Sequence, residues 1–110
     1  MFPRDQRIRT SRDILQVLRR GDRRSNGAIA CSFLSKPGTI TRIGVIVDSK
    51  VSKRAVVRNL VKRRVRAILQ QRASLPVGDI IIRAYKGAET LEFSRISEHI
   101  EQCLRRLNRS

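Results

Sequence analysis

Seven of the fourteen residues from 53 to 66, KRAVVRNLVKRRVR, are Lys or Arg, and none is acidic. Such side chains break no bonds unaided. What they do well is hold phosphate, Lys as a point charge and Arg through a planar fork that gives two hydrogen bonds at once. Arg58, Lys62 and Arg66 recur at i, i+4 and i+8. On a helix over residues 54 to 71 they form one stripe about 12 Å long, enough to meet successive phosphates of a nucleic-acid backbone. Asn59 and Arg63 lie beside the stripe, and Lys50, Lys53 and Arg54 precede it. Val57, Val61, Val65 and Ile68, with Leu60 beside them, fall in a separate arc that can pack on a sheet. A solvated helix face normally mixes signs, because opposite charges at i, i+4 support the helix and like charges weaken it. Residues 49 to 78 contain no Asp or Glu at all. An anionic partner explains that bias, and nucleic acid explains it better than a membrane surface. The apolar arc has no large aromatic residue and is needed for the core.

Other chemistry is poorly supplied. The single His, His99, stands next to Ile100 in a helical pattern with no nucleophile or carboxylate pair at a recognisable spacing, and is read as a half-buried structural residue. Asp48 and Asp79 flank strands, where carboxylates cap or turn the chain, and neither has the further partners a cation site needs. Cys31 and Cys103 are far apart with no metal-type spacing, and are expected to be buried free thiols. No catalytic residue and no protein-held metal is therefore expected on this chain. With four aromatic residues in all, base stacking is limited, and zinc-finger, zipper and aromatic RNA-recognition signatures are missing. Spacing alone supports a backbone binder.

The elements that must carry this stripe are legible from periodicity. The chain has 110 residues, the size of one domain, and carries a formal charge of +16 from 25 basic and 9 acidic side chains. Charge of that size repels itself in a compact fold and favours a polyanionic partner, while 40% hydrophobic residues argue against a disordered basic tail. The N-terminus, MFPRDQRIRT, has charges where a signal peptide needs an apolar run, and no apolar stretch is long enough to span a membrane. A cytoplasmic location, no membrane association and no obligate protein partner are expected. Ser11 is read as the N-cap of a first helix over about 12 to 20, with Ile14, Val17 and Leu18 on one face and Gly21 as its stop. Residues 22 to 27 are read as a loop. Strands are expected in AIACSFLS and RIGVIVD, joined as an antiparallel hairpin at Pro37-Gly38, and in DIIIRA, whose three isoleucines predict a central strand buried on both faces. Ile96, Ile100, Cys103, Leu104 and Leu107 predict a C-terminal helix. The order α-β-β-α-β-α, with room for one more short strand, gives an α+β domain over residues 1–110, helices packed on one small sheet.

Residues 42 to 69, RIGVIVDSKVSKRAVVRNLVKRRVRAIL, resemble the signature region of the bacterial ribonuclease P protein subunit. Arg42-Ile43-Gly44 opens the pattern, and Arg58-Asn59-Leu60-Val61-Lys62-Arg63 closes it. RTSRDILQVLRRG resembles that family's first helix, LPVGDIIIRAYKGA its strand after the basic helix, and the C-terminal helix fits in place and length. The resemblance implies an α-β sandwich with a left-handed β-α-β crossover. It also implies a protein cofactor for a ribozyme that removes the 5′ leader of precursor tRNA. Its partners would be the ribonuclease P RNA and precursor tRNA, and its cofactor Mg²⁺, bound mainly by the RNA subunit that performs the hydrolysis. Lys50, Lys53, Arg54, Arg58, Asn59, Lys62, Arg63, Arg64 and Arg66 would meet RNA; Ile14, Leu18 and Ser32 match a cleft wall for the leader, with Phe33 beside them. Three departures from the family pattern stand out. Leu60 occupies a motif position that is usually Arg, and with Arg64 one turn later the pair reads as an exchange of charge and bulk. Ile14, Leu18 and Ser32 replace aromatic residues, so the leader is expected to be held by its phosphates, through Arg58, Lys50 and Lys53. Asp48 places an acid beside the cleft. The alternative is a ribosomal or other structural RNA-binding protein with no processing role.

Overall fold

The computed structural model describes residues 7–8, 10–36, 40–72 and 75–108, with side chains through residue 106. The element order is α1 (Ser11–Arg20), β1 (Asp22–Asn26), β2 (Ile29–Ser35), β3 (Arg42–Val47), α2 (Ala55–Gln70), β4 (Gly78–Ala84), a short 3₁₀ turn (Ala88–Thr90) and α3 (Phe93–Asn108). The strands form one sheet in the order β1-β2-β4-β3. The α+β class and the three expected helices are present.

Two expectations for the sheet are overturned. Residues 22 to 26 are not loop but the edge strand β1, antiparallel to β2. An edge strand is under no pressure to alternate apolar residues, and DRRSN shows none. The local signal was Asn26-Gly27, a dipeptide that favours a tight hairpin turn, and Gly27 takes φ +61° there. The expected β2–β3 hairpin does not form either. β4 lies between them, antiparallel to β2 and parallel to β3, while Pro37 and Gly38 fall outside the described residues. The reason is the isoleucine run itself: Ile80, Ile81 and Ile82 are at most 1% exposed, which requires strands on both sides and helices on both faces.

Strand alternation then sorts the core. Ile80, Ile82 and Ala84 of β4, with Ile29 and Cys31 of β2 and Ile43 of β3, face α2 and α3. Those helices answer with Val61, Val65, Ile68 and Leu69, and with Ile96, Ile100, Cys103 and Leu104. On the opposite face Ile81 meets Val17 of α1 and Ile8, with Ile14, Leu18, Leu34 and Ile46 packed around them. The Ile8 amide donates to the Ile43 carbonyl at 2.9 Å and shields the outer edge of β3.

Thr10, not Ser11, caps α1, its hydroxyl accepting from the Asp13 amide at 3.2 Å. Gly21 ends the helix for a steric reason. A Cβ there would stand 2.6 Å from the carbonyl oxygens of Phe33 and Val17. A buried ion cluster fixes the helix to the sheet. Asp79, 1% exposed, accepts from Arg42 Nε and Nη2 at 2.8 and 2.7 Å and pairs with Lys36 at 2.9 Å, while Arg42 also reaches Asp13 of α1 at 3.3 Å. Burial alone would raise the Asp79 carboxyl; the hydrogen bonds and charges of Arg42 and Lys36 outweigh it and hold the group below its usual range.

Candidate nucleic-acid interface

α2 owes its stability to packing and not to its own charges. Its first turn has no acid, and its N-cap, Arg54, makes no side-chain cap bond. The approach to the helix is braced instead by Ser52. Its hydroxyl accepts from the Arg54 amide at 3.1 Å, and its carbonyl accepts from Arg58 Nη1 at 2.7 Å. With Val61, Val65, Ile68 and Leu69 buried, a turn of 100° per residue puts Arg58, Lys62 and Arg66 along one shoulder of the helix. The fully outward positions belong to Val56, Asn59 and Arg63. The stripe is real, but it sits on the flank and not on the crest.

Leu60 is 43% exposed instead of joining the buried arc, and lines a shallow outer groove with Val56, Asn59 and Arg63. Arg64, on the same flank as Leu60, is half-buried and turned toward the protein, Nη1 donating to the Leu91 carbonyl at 3.4 Å. Among the described residues, Lys50, Lys53, Lys62, Arg63 and Arg66 have no ion pair and no side-chain hydrogen bond, and the Arg54 guanidinium has none either.

The second candidate surface lies on the α1 side of the sheet. Ile14 and Leu18 are half-buried against Ile81 and Val17, and Ser32, 4% exposed, is on this face. Phe33 is not. Alternation turns it to the opposite face, where it packs against the core under α2 and α3, so it cannot line the α1 side. Sequence reasoning missed the side chains that do extend this face. From Ile81 the period of two continues to Arg83 and Tyr85, and Arg23 of β1 stands opposite Ser32. The signal was present in the alternation of IIIRAY.

Residues 48 to 54 pass from this face to the start of α2. The Val51 amide donates to the Asp48 carbonyl at 2.9 Å, and Val51 is buried, so Lys50 and Lys53 are held outward on either side of it. The Asp48 carboxylate accepts from the Lys50 amide at 3.0 Å and pairs with Arg83 at 3.5 Å. The Lys50 amide bond, with the charges of Arg83 and Lys50, holds this acid below its usual range against some desolvation. Among the described residues no three His, Cys, Asp or Glu side chains gather around a point that could hold a metal ion. Asp48, one carboxylate already engaged by a cation, does not by itself make a hard-cation site. No helix of the described residues is long and apolar enough to cross a membrane.

α1 and α2 thus cover opposite faces of one sheet, and a lysine-bearing turn joins the two surfaces. Comparison with known proteins matches this arrangement. Residues 2–108 match the family model described as Ribonuclease P. A ribonuclease P protein component of Picosynechococcus is 37% identical over 110 residues, covering 96% of this chain and 90% of the relative. One from Geobacter is 36% identical, covering 98% and 93%. Among solved structures, the RNase P protein of Thermotoga maritima superposes with a TM-score of 0.80 at 27% identity, covering 91% of this chain and 96% of that one. The Staphylococcus aureus protein gives 0.83 at 24% identity over 91% and 93%, a likeness of fold. The acid-free helix, the sheet order and the similarity along nearly the whole chain agree: this chain belongs to the ribonuclease P protein family.

Proposed function

We infer that this chain is the protein component of ribonuclease P, binding the catalytic RNA through α2 and laying the 5′ leader of precursor tRNA across the α1 side of the sheet. The observation that carries the reading is a set of cations with no partner among the described residues, on and before an acid-free helix. A protein of charge +16 reduces repulsion between two RNA molecules and releases their counterions, so the complex needs less divalent salt to assemble. Mg²⁺, held by the RNA subunit, supplies the hydrolytic chemistry. This chain's residues bind and orient. Lys62, Arg63 and Arg66 take phosphates of the RNA subunit, while Lys50, Lys53 and Arg58, at the turn between the two surfaces, take those of the leader. Ile14, Leu18 and Ser32 bound the leader's path.

The test is reconstitution with a bacterial ribonuclease P RNA and precursor tRNA. Purified protein alone should cleave nothing, and should stimulate leader removal at Mg²⁺ concentrations too low for the RNA alone. Metal-dependent cleavage by the protein alone, or no stimulation of the RNA, would overturn the reading.

A further inference from the structure

One group of side chains on the α1 face has no part in the core. Arg23 Nη2 donates to Tyr85 Oη at 2.9 Å, and the Arg83 guanidinium carbon stands 5.0 Å from the centroid of the Tyr85 ring. Arg83 Nη2 meets Asp48 at 3.5 Å. The chain of contacts therefore runs from β1, across β2, to β4 and the end of β3, spanning the sheet just beyond the part that α1 covers. Ala30, cross-strand neighbour of Arg83 on β2, is buried beneath this group.

These contacts are with one another and with Asp48, and they leave part of the group open to a ligand. Arg83 remains 39% exposed, its one ion pair is at the outer limit of a hydrogen bond, and its buried Nε has no partner among the described residues. Tyr85 is half-buried and Arg23 exposed. A planar cation stacked on an aromatic ring, with a second cation at the ring's rim, combines a π surface with phosphate donors. Single-stranded nucleic acid is bound by that combination.

We propose that Arg83, Tyr85 and Arg23 form a seat for one unpaired nucleotide of the leader, its base against the Arg83–Tyr85 stack and its phosphate on the two guanidinium groups. Asp48 holds Arg83 in place and yields it to the phosphate. The aromatic contact that Ile14, Leu18 and Ser32 cannot give is thereby supplied from the end of β4. The proposal rests on the reading that the leader crosses this face.

The experiment uses the reconstituted holoenzyme and precursor tRNAs carrying a single abasic residue at successive leader positions. With the native protein, one position should weaken binding by roughly tenfold, within the range for loss of one stacked base. Tyr85→Leu should erase that position-specific loss, and Tyr85→Phe, which keeps the ring, should retain it. If Tyr85→Leu fails to fold, Arg83→Lys keeps the charge, removes the planar face and should erase the same loss. A flat abasic profile, or an unchanged profile in these variants, overturns the seat while a preference for long over short leaders leaves the wider reading standing. No effect of leader length at all overturns both.

Discussion

α2 and α3 are both 16 residues long, lie on the same face of the sheet and, among the described side chains, bury four each in the same core. They differ in what their cations do. On α3, Arg95 pairs with Glu98 at 3.2 Å, Arg105 with Glu101 at 3.3 Å, and Arg106 donates to the Ser25 carbonyl at 3.3 Å. Glu101 also pairs with Arg72, which closes the end of α2 onto α3. On α2 there is no acid, and Lys62, Arg63 and Arg66 have no partner among the described residues. Equal apolar faces with opposite treatment of charge teach that hydrophobic periodicity places a helix, whereas the absence of acids says what its other side is for. α3 spends its charge on the protein; on α2 Arg58 and Arg64 do so, while Lys62, Arg63 and Arg66 do not among the described residues.

The sharpest way to break this comparison is to reverse the free charges. Lys62, Arg63 and Arg66, each changed to Glu, should weaken binding to the RNA subunit on the order of a thousandfold at low salt, and lower the salt slope by at least two to three released counterions. Removing Arg95, Arg105 and Arg106 on α3 should cost less than about threefold, because those groups are already engaged by the protein. Equal losses from Lys62, Arg63 and Arg66 to Ala and from the α3 set would mean that only bulk charge counts.

Next in size is the opposite case, an acid spent wholly on the fold. Asp79→Asn should cost about 3 kcal/mol in urea unfolding, the low end for removing one partner of a buried pair, since Arg42 and Lys36 can still reach water. The sign of the pH effect follows from the depressed carboxyl. Its contribution is complete at neutral pH and is lost as pH falls below the ordinary 3.8 through the lower folded value. The native protein should lose stability steeply in that acid window, and the Asn variant less so.

A single charge sharpens the picture further. Arg66→Ala should reduce RNA affinity by roughly fivefold and the salt slope by about one counterion, with no change in melting temperature. Arg58→Ala should do the same to binding and also destabilise the protein by about 1 kcal/mol, because its bond to the Ser52 carbonyl is lost. The smallest effect is a gain. Leu60→Arg, at an exposed position beside Asn59 and Arg63, should strengthen RNA binding by two- to threefold at low salt and lose that advantage as salt rises. A gain that persists in high salt would mean that Leu60 acts by something other than added charge.

What could be seen in the sequence was whatever burial writes into periodicity. Val61, Val65 and Ile68 marked the packed side of α2, and Ile80–Ile82 marked the central strand, because a residue that loses water must be apolar wherever it falls. β1 escaped because an exposed edge strand has no such obligation. The β2–β3 hairpin was misjudged because neighbours in sequence are usually neighbours in a sheet, and nothing local announces that a later strand will come between them. The basic half of the interface was legible for a different reason, since a 30-residue stretch without an acid is visible in one dimension. The sheet face was not. Whether Phe33 or Tyr85 lines it depends on strand register, which a shift of one residue inverts.

The insertion of β4 between β2 and β3 has a consequence for the order of events during synthesis. As the chain leaves the ribosome, β1 and β2 can close their turn, but β3 follows with its partner strand β4 not yet made. A helix with Arg58, Lys62 and Arg66 at mutually repulsive spacing and no acid is poorly stable alone. β3 offers the valines of α2 part of a surface, and the core they share with Ile80 and Ile82 is complete only when β4 docks between β2 and β3. Closing that long loop is the slow step expected of a fold rich in distant contacts. The fully packed form of α2 is therefore a late product of folding, and a chain interrupted before Ala84 presents its basic residues without the finished scaffold that spaces them. On the reading proposed above, an RNA partner would match only the finished protein, and RNA already in place would speed the finish by relieving the charge that opposes it.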